Sequence, residues 1–309
     1  MPTRPIVVVA QPHLARLIGA LEGRYEPLPL WEEASRPRLG EGRALVVAGE
    51  FPLDPALIGA MPQLGLIACF TVGYDGVDVP AMRARGIAVA HAHDANDEDV
   101  ADHAIGLIIA HRRQIVAGDR AVRNGGWTSG AKMLTRSLGH ARIGIVGMGS
   151  IGQALARRAE AMRMRVSWWG PRAKPDLAWP RLDSLIALAE NSDILVVAAR
   201  ADSGNRKMIS GEIMDALGPD GLLVNIARGQ LIDEDALIAR LRDGRLGGAA
   251  LDVFAQEPTP SAHWAEVPNV VLTPHTAGAT DAAVARMTAM LIANLDAFFR
   301  GAPLPTPVP

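Results

Sequence analysis

Residues Arg142-Ile-Gly-Ile-Val146 form a short apolar run that ends in Gly147-Met148-Gly149-Ser150-Ile151-Gly152, and a helical pattern follows at once from Gln153 to Met162. This order, strand then G-x-G-x-x-G then helix, leaves the chain few folds to choose from. The first glycine permits a tight turn, the second lets backbone approach a pyrophosphate, and the third lets helix and strand pack closely. The helix N-terminus adds unpaired N–H donors that favour anions. The spacing therefore predicts a dinucleotide site at residues 147–152. A dinucleotide that is NAD calls for an acidic residue about 20 positions on, at the end of the second strand, to bind the ribose 2′-hydroxyl. That strand instead reads Val166-Ser-Trp-Trp-Gly170-Pro-Arg172-Ala-Lys174. Glycine stands where the carboxylate would, and two cations follow. Arg172 and Lys174 would attract the extra phosphate of NADP. The plainer alternative is a solvated basic loop.

Other apolar, β-branched runs recur with helical stretches between them: 6–10, 44–49, 64–70, 88–93, 165–169, 193–199, 222–227, 248–253 and 270–275. Such alternation reads as buried parallel strands joined by helices, a doubly wound α/β class. A length of 309 residues exceeds one compact domain. The acidic start Asn96 to Asp99 and the periodic residues after it predict one long helix, Asp97 to Gly118, connecting two domains. The Pro-rich tail from Gly301 is not helix.

A formal net charge of -2 without a long basic block argues against nucleic acid or an anionic membrane as partner. Cys69 is the only cysteine and lies in an apolar run, which suggests an inert thiol in a reducing cytoplasm. The early apolar run 6–10 is too short for a signal peptide, and no eighteen apolar residues run together, so neither export nor anchoring is expected. His91 and His93 alternate without a third ligand at metal spacing, so no metal site is expected. Trp168, Trp169 and Trp264 read as packing residues.

Three more segments close strands with polar residues: Asn225-Ile226-Ala227-Arg228-Gly229, Ala250-Leu-Asp252-Val-Phe-Ala-Gln-Glu257-Pro258, and Leu272-Thr-Pro-His275-Thr-Ala-Gly278. In open α/β sheets ligands sit beyond the carboxyl ends of strands, so these segments would converge on the dinucleotide. Taken singly, Arg228 could be a loop arginine in an ion pair, Glu257 a turn residue, and His275 a histidine satisfied by backbone.

In order and spacing, these segments and the glycine turn resemble the D-2-hydroxyacid dehydrogenase family, which includes the glyoxylate, hydroxypyruvate and hydroxyphenylpyruvate reductases. The resemblance extends to Val72-Gly73-Tyr74-Asp75-Gly76-Val77-Asp78, similar to the family's substrate-carboxylate loop, and to Val100-Ala101-Asp102-His103, similar to the start of its interdomain helix. It implies two doubly wound parallel-sheet domains: a flavodoxin-like substrate domain, 1–97 with 280–309, and an inserted Rossmann cofactor domain, 98–279, with the active cleft at their junction. It implies reduction of a small 2-keto acid to the D-2-hydroxy acid with NADPH in a homodimer assembled through the cofactor domain. His275 would be the general acid, Glu257 the carboxylate that orients and charges it, and Arg228 the forked cation on the keto oxygen and carboxylate. The chemistry agrees, because hydride reduction of a ketone leaves negative charge on oxygen and needs a proton donor and a fixed cation. The N–H groups of Val72 and Gly73 would cradle the substrate carboxylate. Ala199, Asp252 and the backbone of Ile226 and Ala227 would line the nicotinamide site.

The chain departs from some glyoxylate and hydroxypyruvate reductases after Asn124-Gly-Gly-Trp127, where a second tryptophan three residues on is replaced by Gly130. A wider pocket beside Met133 would then admit larger keto acids. Two alternatives stay open: an NAD-linked dehydrogenase of another D-2-hydroxy acid, and a dinucleotide-sensing interaction protein on the same fold.

Overall fold

Short β-branched runs make strands buried on both faces, and the chain arranges them in two all-parallel sheets. The computed structural model describes residues 4–130 and 133–308; the outer ends of the expected substrate domain, 1–3 and 309, lie outside them. Two compact units result, one from residues 1–96 with 281–309, the other from 97–280.

The sheet of the first unit contains β1 (Ile6–Val9), β2 (Glu26–Pro29), β3 (Ala44–Val47), β4 (Leu66–Cys69) and β5 (Ala88–Ala90) in the order β2-β1-β3-β4-β5. This is the flavodoxin order. The helix Asp281–Phe299 is long and apolar enough to cross a membrane by length and composition. It places Ala283, Met287, Leu291 and Leu295 in a core with Val7, Val9, Leu66 and Phe70. Strand β2 is not among the strands expected from sequence. Its Glu-Pro-Leu-Pro carries two residues without an N–H, which only an edge position tolerates, and β2 is at the edge.

In the second unit, β6 (Arg142–Val146), β7 (Arg165–Trp169), β8 (Ile194–Val197), β9 (Leu222–Asn225), β10 (Gly248–Leu251) and β11 (Val270–Leu272) pair in the order β11-β10-β9-β8-β6-β7. The chain reverses its winding direction between β6 and β8, the position at which open α/β sheets bind ligands. Trp168 and Trp264 are buried as packing residues.

The long connector expected over Asp97 to Gly118 is a broken one. A helix spans Asp97–Arg112, Gln114 adopts the left-handed region at φ 51°, and a separate helix spans Ile115–Arg123. The first buries Val100, Ala104, Leu107 and Ile108, whereas the second buries none of its residues. Several strands also stop short of the apolar runs that mark them. The run 270–275 ends as a strand at Leu272, and 88–93 ends at Ala90, which leaves His91 and His93 in a loop. Apolar character persists there because the loops beyond the strand ends are themselves partly buried.

Candidate active site

The glycine turn leaves β6 at the switch point, where the Gly147 N–H donates to the Trp169 carbonyl over 2.8 Å. Gly147 has φ +95°, and a Cβ there would lie 2.6 Å from the Ala199 Cα. Ala199 therefore packs directly on the turn. A Cβ on Gly152 would strike the Gly147 carbonyl oxygen at 2.3 Å, so the helix Ser150–Ala161 approaches its own turn as closely as backbone allows. Gly149 is different: a Cβ there would meet nothing within 4 Å. It caps the helix without a side-chain hydrogen bond. Open space above a helix start that no side chain caps suits a pyrophosphate, so the turn fits a dinucleotide. Met148 is buried below the turn, and Ser150 and Ile151 form the first helical residues. Beyond β7, Lys174 Nζ donates to the Met148 carbonyl over 2.7 Å, which seats the basic loop against the turn. Arg172 is exposed on that loop and makes no ion pair among the described residues.

At the far side of the switch point, the ends of β9, β10 and β11 bring together three charged groups. The His275 Nδ1–H donates to Glu257 Oε2 over 2.6 Å, and the Phe254 N–H holds the other oxygen, Oε1, over 2.9 Å. The Glu257 hydrogen bond is the largest influence on His275 and raises its pKa above the ordinary 6.5, against opposition from burial and from the Arg228 charge. Burial pushes the Glu257 carboxyl up. The His275 and Phe254 hydrogen bonds, with the His275 and Arg228 charges, outweigh it and hold the group below its ordinary range. Arg228 thus lies within electrostatic reach of both.

Gly229 sets how closely these loops approach. A Cβ there would fall 1.9 Å from the Phe254 carbonyl carbon and oxygen. The Arg228 loop therefore rests on the loop that carries Glu257 at backbone distance. Asn225, wholly buried, shapes the Arg228 loop from within: its Nδ2 donates to the Arg228 carbonyl and its Oδ1 accepts from the Ala227 N–H, over 2.9 and 3.1 Å. Ile226 is buried and Ala227 half-buried in that turn.

Asp252, expected beside the nicotinamide, has its carboxylate engaged inside the chain and 1 % exposed. Oδ1 accepts from the Thr273 hydroxyl and the Thr276 N–H, and Oδ2 from the Ala277 N–H. His103 Nε2 lies 3.4 Å from Oδ1. Burial pushes this carboxyl up, but these partners outweigh it and hold it below the ordinary range.

Asn225, His103 and Thr273 carry no role in the sequence reading. The signal for Asn225 is an asparagine closing an otherwise apolar strand, since a buried amide must be satisfied by its own loop.

Val72 and Gly73 belong to the first unit, after β4. The His91 Nδ1 meets the Val72 carbonyl over 2.9 Å, and the Gly73 carbonyl accepts from the Thr71 hydroxyl over 3.1 Å. The N–H groups of Val72 and Gly73 donate no hydrogen bond among the described residues. They are therefore available to an anion.

Residues 105–277 match the sequence profile of the family described as D-isomer specific 2-hydroxyacid dehydrogenase, NAD binding domain. The chain is 40% identical over 307 residues to the glyoxylate/hydroxypyruvate reductase A HPR2 of Arabidopsis thaliana, covering 98% of each chain. It is 42% identical over 266 residues to the hydroxyphenylpyruvate reductase of Plectranthus scutellarioides, covering 86% of this chain and 85% of that one. A solved structure of an NADPH-dependent glyoxylate/hydroxypyruvate reductase from Sinorhizobium meliloti, in complex with NADP and malonate, superposes with a TM-score of 0.90 at 34% identity, over 99% of this chain and 97% of that one.

Proposed function

The chain belongs to the D-isomer specific 2-hydroxyacid dehydrogenase family, and from that premise we propose that it reduces a small 2-keto acid, glyoxylate, hydroxypyruvate or a close relative, to the D-2-hydroxy acid with NADPH. The observation that carries this reading is the His275–Glu257 pair at 2.6 Å with the Arg228 charge beside it. A bound NADPH supplies the hydride that reaches the keto carbon. Arg228 holds the keto oxygen and the neighbouring carboxylate through its planar fork, and so stabilises charge where it develops. Because Nδ1 of His275 is committed to Glu257, the proton passes to the oxygen from Nε2. Glu257 then favours the imidazolium as the ring takes up a proton from solvent for the next turnover. The N–H groups of Val72 and Gly73 take the substrate carboxylate.

The NADP preference is supported by Arg172 and Lys174 on a loop without a carboxylate. Gly147 to Gly152 would hold the phosphates, and Ala199, Ile226 and Ala227 would wall the ring site. Asp252 would serve the ring by holding the turn that follows β11.

The active form proposed is a homodimer assembled through the second unit. Ile115, Val122 and Leu134 are exposed there, and a groove of about 1020 Å³ is lined by Val116, Leu134 and Trp264. Arg112 also lines it, with a buried Nε that has no hydrogen-bond partner among the described residues. Residence in the cytoplasm is proposed from Cys69, the single cysteine of the sequence, a free thiol buried in the core.

The deciding experiment follows nicotinamide absorbance with a panel of 2-keto acids, NADPH and NADH being compared at equal concentration. Oxidation of NADPH by glyoxylate or hydroxypyruvate is expected, with NADH slower. No oxidation of either cofactor by any keto acid would end the reading.

A further inference from the structure

The turn that presents His275 is fastened to the helix Asp97–Arg112 at two points. At one end, His103 Nε2 lies 2.9 Å from the Thr273 hydroxyl oxygen. That hydroxyl has a single hydrogen, and it goes to Asp252 over 2.6 Å. The Thr273 oxygen must therefore accept from His103, which fixes the proton of His103 on Nε2. At the other end, the Thr280 hydroxyl donates to Asp99 Oδ1 over 2.6 Å. Asp99 and His103 are four residues apart and share one face of the helix. Ala277 is buried in the same core as Val100, Ala101 and Ala104 of that helix. The segment 273–280 thus lies along the helix and is held at each end.

Within this segment His275 adopts φ +53°, a left-handed conformation that a residue with a side chain keeps only when its surroundings enforce it. The enforcing contacts run through Asp252. Its carbonyl accepts from the His275 N–H over 2.8 Å, while its carboxylate takes the N–H groups of Thr276 and Ala277. A carboxylate 1 % exposed needs donors around it, and His103 reaches it from the helix, with Nε2 3.4 Å from Oδ1.

We propose that His103 is a positioning residue for the reaction, fixing through Thr273 and Asp252 the turn that aims His275 at substrate. The inference rests on the role given to His275 above. Replacing His103 removes a donor from a satisfied buried network and frees the turn to relax, which alters where Nε2 of His275 points and loosens its Nδ1 hydrogen bond to Glu257.

Two substitutions test it in the full chain. His103→Leu fills the space without a donor, and His103→Gln keeps an N–H near the position of Nε2. With NADPH and glyoxylate, His103→Leu is expected to lower kcat by about 10- to 100-fold while keto-acid KM moves less than about threefold, as a misaimed catalytic group does. His103→Gln is expected to recover kcat to within about fivefold of the parent. The second readout needs no turnover. The His275 imidazole, faced by Glu257, Arg228 and Asp252, is titrated by NMR in each chain. In His103→Leu its titration is expected to fall back toward the ordinary 6.5, and in His103→Gln to stay raised. Parent-like kcat and an unmoved His275 titration in His103→Leu would overturn the assignment, and so would His103→Gln behaving like His103→Leu. If His103→Leu fails to fold, Thr273→Val removes the hydroxyl that joins His103 to the turn, and an unchanged His275 titration there overturns it equally. A parent chain that reduces no keto acid sinks the functional reading alone, because the titration still decides whether His103 positions His275.

Discussion

Glu257 binds His275 with one carboxylate oxygen and the Phe254 backbone with the other, so its position is set before any substrate arrives. The carboxylate acts on histidine charge and histidine direction together.

The first expectation concerns pH. His275 keeps its proton above the ordinary 6.5 because Glu257 favours the charged imidazole. Keto-acid reduction requires that proton, so its rate falls as pH rises through the raised value. Oxidation of the hydroxy acid requires the neutral ring and rises over the same interval. Glu257→Gln removes the charge and should move the alkaline limb of reduction to lower pH, as read from kcat/KM profiles. A limb that stays in place would separate Glu257 from the titration.

Arg228→Lys retains the charge but loses the planar fork. A loss of about 100-fold in kcat/KM is expected, with NADPH binding measured by fluorescence little changed. Near-parental turnover in the lysine variant would mean that charge alone suffices.

Gly229→Ala puts a methyl group 1.9 Å from the Phe254 carbonyl, and backbone cannot swing aside as a flexible side chain can. The cost expected is about 2–3 kcal/mol of stability together with most of the activity, since the Arg228 and Glu257 loops must part. Thermal unfolding and initial rates measure both. An unchanged Tm would show that the two loops separate freely.

Arg172→Ala tests cofactor choice. A lost charge-assisted contact to the 2′-phosphate should weaken NADPH by about tenfold or more and leave NADH nearly unaffected, in direct titrations of each. Equal weakening of the two would assign Arg172 to the shared part of the dinucleotide.

What the sequence makes legible follows physical locality. The turn Gly147 to Gly152 is contiguous, and its glycine roles depend on backbone contacts inside one strand-turn-helix unit, so spacing alone predicts its geometry. Glu257 and His275 stand eighteen residues apart, in the loops that follow two different strands. Only the resemblance of order and spacing linked them, because nothing local tells a histidine which carboxylate it will meet. Asn225 and His103 were illegible for a related reason. Each works on neighbouring loops, Asn225 wholly buried at the end of an apolar strand and His103 half-buried on a helix face, and neither pattern names the partners it will meet. The break at Gln114 is not legible because apolar periodicity continues to Ile115, although that side chain is exposed. Periodicity reports amphipathic character, and it does not report whether a face finds a core to enter.

The hydrogen bond from Thr280 to Asp99 joins the first turn of the second unit to its last residue. A segment whose ends meet in this way is a cassette: it can be excised as 97–280, or exchanged for a related segment, without leaving its own termini far apart. Swapping this piece between relatives of different cofactor preference is therefore a practical way to transfer that preference while keeping the first unit intact.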